Sequence, residues 1–107
     1  MALKGNIFSG LVTFEVAARL GSFTKTANQL HITTGAISQQ INLLESQLSL
    51  KLFFRHSRGI SLTADGKKLY QVVQHNFADI EKVIDELRQG QSPDGEIKLK
   101  LTPSFAY

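Results

Sequence analysis

Between Ser22 and Leu50 the chain reads SFTKTANQLHITTGAISQQINLLESQLSL, two short amphipathic periods separated by a turn of only a few residues. Ser22 is an N-cap residue type, and the helix it opens carries Phe23, Ala27 and Leu30 on one side, at steps of four and three. That helix stops near His31. Thr33 or Thr34 then caps a second helix, in which Ile37, Ile41, Leu44 and Leu48 recur at steps of four, three and four. Opposite them lie Thr34, Gly35, Ser38, Gln39 and Asn42, short or amide side chains that no core requires. So short a turn makes the helices cross steeply. Ala27 supplies a small contact and Ile37 a core anchor, as in a helix-turn-helix. Periodicity alone fits an ordinary helical pair in a small all-α domain equally well. The exposed face separates the two readings: a helix opening Thr-Thr-Gly-Ala, with Ser and Gln one turn on, lets a DNA backbone approach closely and offers donors and acceptors to base edges.

Charge is distributed to match. Of the net +3 carried by 107 residues, residues 1–62 hold Lys4, Arg19, Lys25, Lys51, Arg55 and Arg58 against Glu15 and Glu45, a local excess of +4. Residues 63–90 hold four cations and five carboxylates, and the remainder balances. A solvated surface is the plain explanation of such an excess, but its position around a polar helix favours a phosphate-facing surface.

The flanking segments complete a small domain. Asn6 to Arg19 predicts an opening helix with Phe8, Leu11, Phe14, Ala17 and Ala18 as its core stripe, and Gly21 is placed to end it. Lys51 to Thr63, KLFFRHSRGISLT, predicts a two-stranded wing with its turn at Ser57 to Gly59. Arg55 and Arg58 at its tip are either solvated charges or phosphate and minor-groove contacts. Thr63 then caps a long helix reaching to about Arg88, along which Leu69, Val73, Phe77, Ile80, Ile84 and Leu87 step by four, four, three, four and three, widened by Tyr70 and Val83. At about 25 residues and 38 Å it outruns a three-helix core. Its surplus seam either meets a second copy of the chain or folds back on its own domain. Gln89 to Gly95 is a linker by composition, and Glu96-Ile-Lys-Leu-Lys-Leu alternates as a strand with nothing downstream to pair with, which marks the chain as the N-terminal piece of something longer.

The composition is that of an ordinary globular chain with no cysteine, which excludes a disulfide scaffold and thiolate metal sites and fits a reducing cytosol. No apolar run reaches membrane-spanning length and no signal-peptide core follows Met1, so the chain reads as soluble and cytoplasmic. His31, His56 and His75 lack metal-ligand spacing, Ser57 lacks a nucleophile elbow, and no phosphate-binding loop is present; the sequence assigns no catalytic residue, metal or cofactor. Two rival classes remain, an enzyme assembled from distant groups and a protein-interaction module built on the long helix.

Taken together, Gly21-Ser-Phe-Thr-Lys-Thr-Ala-Asn-Gln-Leu-His-Ile, Ala36-Ile-Ser-Gln-Gln-Ile-Asn-Leu-Leu-Glu45, Leu52-Phe-Phe-Arg55 and Leu62-Thr-Ala-Asp-Gly66 resemble the DNA-binding region of LysR-type transcriptional regulators, across nearly all of residues 8–90. The closing Lys100-Leu-Thr-Pro-Ser-Phe-Ala is similar to the first effector-domain strand of the branch that includes activators of glycine cleavage and of beta-lactamase genes.

That resemblance implies a mainly α chain: a winged helix-turn-helix over residues 1–62, a linker and dimerisation helix over 63–90, and over 91–107 a hinge leading into the first strand of an absent effector domain. It implies double-stranded promoter DNA as partner, a homodimer through Leu69, Val73, Phe77, Ile80, Ile84 and Leu87, a tetramer for the whole protein, and a small-molecule effector bound outside this piece. By position, Thr34, Gly35, Ser38 and Gln39 would read bases, with Arg58 entering the minor groove. Ser22, Phe23, Thr24, Lys25 and Arg55 would hold phosphates. The chain departs from the family at three of its positions. Thr34 replaces a frequent Gln and loses a bidentate adenine contact, Gln39 replaces a frequent Arg, and Ser49 stands where Gly usually follows the recognition helix.

Overall fold

The computed structural model describes residues 7–90, so the linker from Gln91, the expected strand at 96–101, the segment 91–107 as a whole and Lys4 lie outside the described residues, while Gln89, expected to open the linker, is the last residue of the long helix. In chain order the elements are α1 (Ile7–Leu20), α2 (Phe23–Leu30), α3 (Thr34–Leu48), β1 (Phe53–His56), β2 (Gly59–Leu62) and α4 (Ala64–Gln89). The expected winged helix-turn-helix followed by a long helix is the fold observed. The division into compact units falls inside α4, between Gln74 and His75.

Each helix ends where the local chemistry dictates. Gly21, at φ +67°, donates its N–H to the Ala17 carbonyl at 2.8 Å and closes α1. Ser22 caps α2 by accepting the Lys25 N–H at 3.1 Å, and Thr33 caps α3 by accepting the Ala36 N–H at 3.0 Å. Two non-glycine residues take the left-handed conformation at helix ends, His31 after α2 (φ 60°) and Ser49 after α3 (φ 56°). Ser49 thus adopts the geometry for which glycine is the ordinary choice, at a conformational cost.

The core gathers around Phe14, whose ring lies 5.4 Å from that of Phe53 and 6.4 Å, edge-on, from Tyr70. Ile7, Ala17, Ala27, Ile37, Ile41, Leu44 and Leu52 close around it. Phe8 is not in this core; it is 56% exposed, and Ile7 takes its place. The buried stripe of α1 runs Ile7, Gly10, Phe14, Ala17, and at about 100° per residue Phe8 turns away from it. Gly10 is there because α3 comes close: a Cβ on it would sit 3.2 Å from that of Leu44.

The wing is an antiparallel hairpin pairing Phe53 with Leu62, Phe54 with Ser61, Arg55 with Ile60 and His56 with Gly59, so its turn is Ser57–Arg58. At its base the Thr63 hydroxyl donates to the Lys51 carbonyl (2.6 Å) and accepts the Gly66 N–H (3.0 Å), which caps α4. The first turn of α4 passes so close to Leu52 that a Cβ at Gly66 would lie 2.2 Å from its carbonyl oxygen.

Candidate nucleic-acid interface

The N-terminal half of α3 presents the side chains selected from the sequence. With Ile37, Ile41 and Leu44 buried, Thr34, Gly35 and Gln39 are exposed and Ser38 half-exposed on the opposite side. Gly35 has open space where a side chain would go, the nearest atom to an added Cβ being Thr33 Oγ1 at 3.9 Å. Nothing in the protein's own packing asks for glycine at that position. Gln40, by contrast, is turned inward and accepts a hydrogen bond from the Thr13 hydroxyl, which ties α1 to α3.

The α2 N-terminus adds a second set of donors. The Ser22 hydroxyl takes the Lys25 N–H and its carbonyl the Thr26 N–H (3.1 Å), while the N–H groups of Phe23 and Thr24 find no partner among the described residues. Lys25 is exposed beside them. Phe23 contributes its backbone only, because its ring packs edge-on against Phe53 at 5.7 Å. Arg58, in the wing turn, is exposed, and its side chain makes no hydrogen bond or ion pair among the described residues.

Arg55 is placed differently from the expectation. It is not at the wing tip: it sits within β1, and its guanidinium is turned back onto α3. Nη1 donates to Ser38 Oγ at 3.0 Å and Nη2 to Asn42 Oδ1 at 2.6 Å. The same group lies 5.1 Å over the Phe23 ring and 3.9 Å from Glu45 Oε1. In β1 the side chain of Arg55 is on the face turned to α3, and a planar fork with a π-stacking surface fits the slot between Phe23 and the helix.

Glu45 was legible in the sequence only as part of a motif. Its carboxylate is buried and Oε2 accepts the backbone N–H groups of Leu52 (2.8 Å) and Phe53 (3.2 Å), the two residues that lead into the wing. Lys51 Nζ and Arg55 Nη2 each lie 3.9 Å from Oε1. The available signal was a lone acid next to Leu44 on the apolar side of α3.

The α4 seam is divided. Leu69 packs against the domain core and Val73 is buried within its own chain, so neither is an open surface for a second subunit as expected. The first turns of α4 complete the core, and Tyr70 reaches Phe14 from them. Farther along, Phe77 is half-buried, while Ile80, Ile84 and Leu87 are exposed together with Val83.

Residues 8–67 match the family described as bacterial regulatory helix-turn-helix protein, lysR family. Over 86 residues the chain is 41% identical to the HTH-type transcriptional regulator BlaA of Proteus vulgaris, covering 80% of this chain and 30% of that protein. It is 38% identical over 98 residues to the glycine cleavage system transcriptional activator of Escherichia coli K12, covering 92% of this chain and 32% of that one. The chain therefore spans about a third of the length of these relatives. Among solved structures, the DNA-binding domain of BenM in complex with catB site 1 DNA superposes with a TM-score of 0.69 at 28% identity, over 76% of this chain and 90% of that one. The DNA-bound domain of CbnR matches with a TM-score of 0.66 at 29% identity, over 77% of this chain and 94% of that one.

Proposed function

The chain belongs to the LysR family of bacterial regulatory helix-turn-helix proteins, and from that premise we propose that it reads specific promoter sequences with α3 in the major groove and the wing in the flanking minor groove. The observation that carries this is the open polar N-terminal half of α3, where Thr34, Gly35, Ser38 and Gln39 face outward and Gly35 serves no packing need. Short donors and acceptors at that position can reach base edges, and the missing side chain at Gly35 admits the backbone of the duplex. The unpaired N–H groups of Phe23 and Thr24, with Lys25, supply phosphate contacts at a helix N-terminus, and Ser22 orders that turn. Arg58 supplies the minor-groove contact.

The domain plan follows the same reading: a DNA-binding unit over 1–62, a linking helix over 63–90 and a hinge from 91 onward. Two copies associate through the distal seam of α4, Phe77, Ile80, Ile84 and Leu87, and present two α3 helices to two half-sites. In a protein of the relatives' length, tetramer formation and the response to a small-molecule effector reside in the segment beyond this chain. The role is regulatory and carried out in the cytoplasm, with no catalytic step.

The test is fluorescence-anisotropy titration of the chain against random-sequence and A/T-rich palindromic duplexes at two salt concentrations. With Lys25 and Arg58 engaged from each of two subunits, log K falls against log salt with a slope of about −4. Tighter binding to the palindrome is expected. A slope near zero from a folded protein, or no binding at all, refutes the reading and favours a protein-interaction role for the long helix.

A further inference from the structure

Arg55 bridges the wing to the base-reading side of α3 through two oxygens one helical turn apart, Ser38 Oγ at 3.0 Å and Asn42 Oδ1 at 2.6 Å. A guanidinium has five donors and no acceptor, so both groups must offer it a lone pair. For Asn42 this fixes the amide: the oxygen faces Arg55 and the amino group faces outward. For Ser38 it commits a lone pair and leaves the O–H to point elsewhere. The cation also polarises the hydroxyl as a donor and disfavours its acceptance of a second N–H.

Resting on the DNA-reading role proposed above, we propose that Arg55 is a positioning residue for specificity: it polarises Ser38 and Asn42 into donors, so that Ser38 selects a base presenting an acceptor and rejects cytosine, whose major-groove group is an amino donor. Guanine N7 and O6, adenine N7 and thymine O4 all satisfy such a donor; cytosine N4 does not. Arg55 itself need touch no base. Its place is fixed by its own chain, between the Phe23 ring at 5.1 Å and the buried Glu45 carboxylate at 3.9 Å.

The test selects binding sites from a randomised duplex pool with the wild-type chain and with Ser38→Ala, Arg55→Met, Arg55→Lys and the Ser38→Ala/Arg55→Met double variant. The position at which Ser38→Ala loses preference identifies the base pair that Ser38 reads. At that position Arg55→Met is expected to lose discrimination against cytosine by about tenfold, the low end of what one good base contact supplies. Other positions keep their preferences, and the double variant is no less selective than Ser38→Ala. Arg55→Lys keeps a cation near Glu45 but lacks the planar fork that reaches Ser38 and Asn42 together, so it shows a smaller loss than Arg55→Met and serves where Arg55→Met fails to fold. Uniform weakening on all sequences with a salt slope flatter by about one per subunit, and cytosine still excluded, would identify Arg55 as a phosphate anchor and overturn the proposal. Absence of salt-dependent binding by the wild-type chain would remove the underlying DNA-reading role, a different result from binding with unaltered preference.

Discussion

Glu45→Ala should be the most damaging single truncation of a charged residue in this domain, and the geometry says by how much. Glu45 Oε2 accepts two backbone N–H groups, from Leu52 at 2.8 Å and Phe53 at 3.2 Å, and both of those residues are buried. With the carboxylate gone, two buried donors lose their acceptor, at about 1–3 kcal/mol each. The sum, about 4 kcal/mol, is a large part of the roughly 5–10 kcal/mol available to a domain of this size. The ion pairs add little: Lys51 and Arg55 lie 3.9 Å away and both are substantially exposed. Glu45→Gln separates the contributions, since its one carbonyl oxygen can occupy the Oε2 position and keep both bonds without the charge, at a cost of about 1–2 kcal/mol. Urea denaturation followed by circular dichroism, at one fixed subunit concentration, measures all three proteins. The expected order is wild type, Gln slightly below it, and Ala far below, with an unfolding free energy lower by about 4 kcal/mol. An alanine variant within about 1 kcal/mol of wild type would refute the assigned role of the two hydrogen bonds. A Gln variant as unstable as Ala would shift the effect to the charge.

Gly66→Ala is expected to cost more than about 2 kcal/mol in the same assay, because the new Cβ would lie 2.2 Å from the Leu52 backbone oxygen, which has no room to move; Gly35→Ala, opening onto free space, should melt within about 0.5 kcal/mol of wild type while weakening duplex binding in the anisotropy titration. Ser49→Gly should stabilise by about 0.5 kcal/mol, the relief of a left-handed serine at φ 56° partly offset by a more flexible unfolded chain. Ile84→Glu on the exposed distal part of α4 should leave the melting of the DNA-binding unit unchanged and shift sedimentation velocity to the monomer, whereas a persistent dimer would remove this seam from the interface.

The order of elements and the helix ends were legible because local chemistry determines them. Gly21 terminates α1, Ser22 and Thr33 cap their helices, and Ser57 and Arg58 turn the hairpin, one residue shorter than the expected turn because Gly59 pairs with His56, each within reach of its own sequence neighbours. The face of α3 was equally readable, since burying Ile37, Ile41 and Leu44 leaves Thr34, Gly35 and Gln39 nowhere to go but outward. The errors come from long-range packing. Phe8 and Ile7 are adjacent apolar residues, and only the azimuth of α1 against α3 selects Ile7. Leu69 and Val73 continue the same seam as Ile80 and Ile84, and only the position of the core shows that the buried part of the seam ends partway along. Arg55 lies 17 residues from Ser38, and no local rule turns it toward α3 rather than toward solvent.

The two long-range polar links run in opposite directions between the same pair of elements. Glu45 reaches from α3 to the backbone entering β1, and Arg55 reaches from β1 back to Ser38 and Asn42 on α3. One link is buried and holds main chain; the other is partly exposed and holds side chains. Their energetic consequences therefore differ: the first bears on whether the wing stays folded onto α3, the second on which atoms α3 offers outward. Because both converge within 3.9 Å of each other at Glu45 Oε1, a hairpin displaced by loss of the buried link would carry the guanidinium away from Ser38 as well. On the DNA-reading role proposed above, stability of the hairpin and selectivity of the helix are then coupled. Substitutions at Glu45 that remove the buried link yet leave the domain folded should blur base preference at the Ser38 position in the site selection, although Glu45 faces the interior and touches no base, whereas Gln, which keeps both hydrogen bonds, should leave that preference intact.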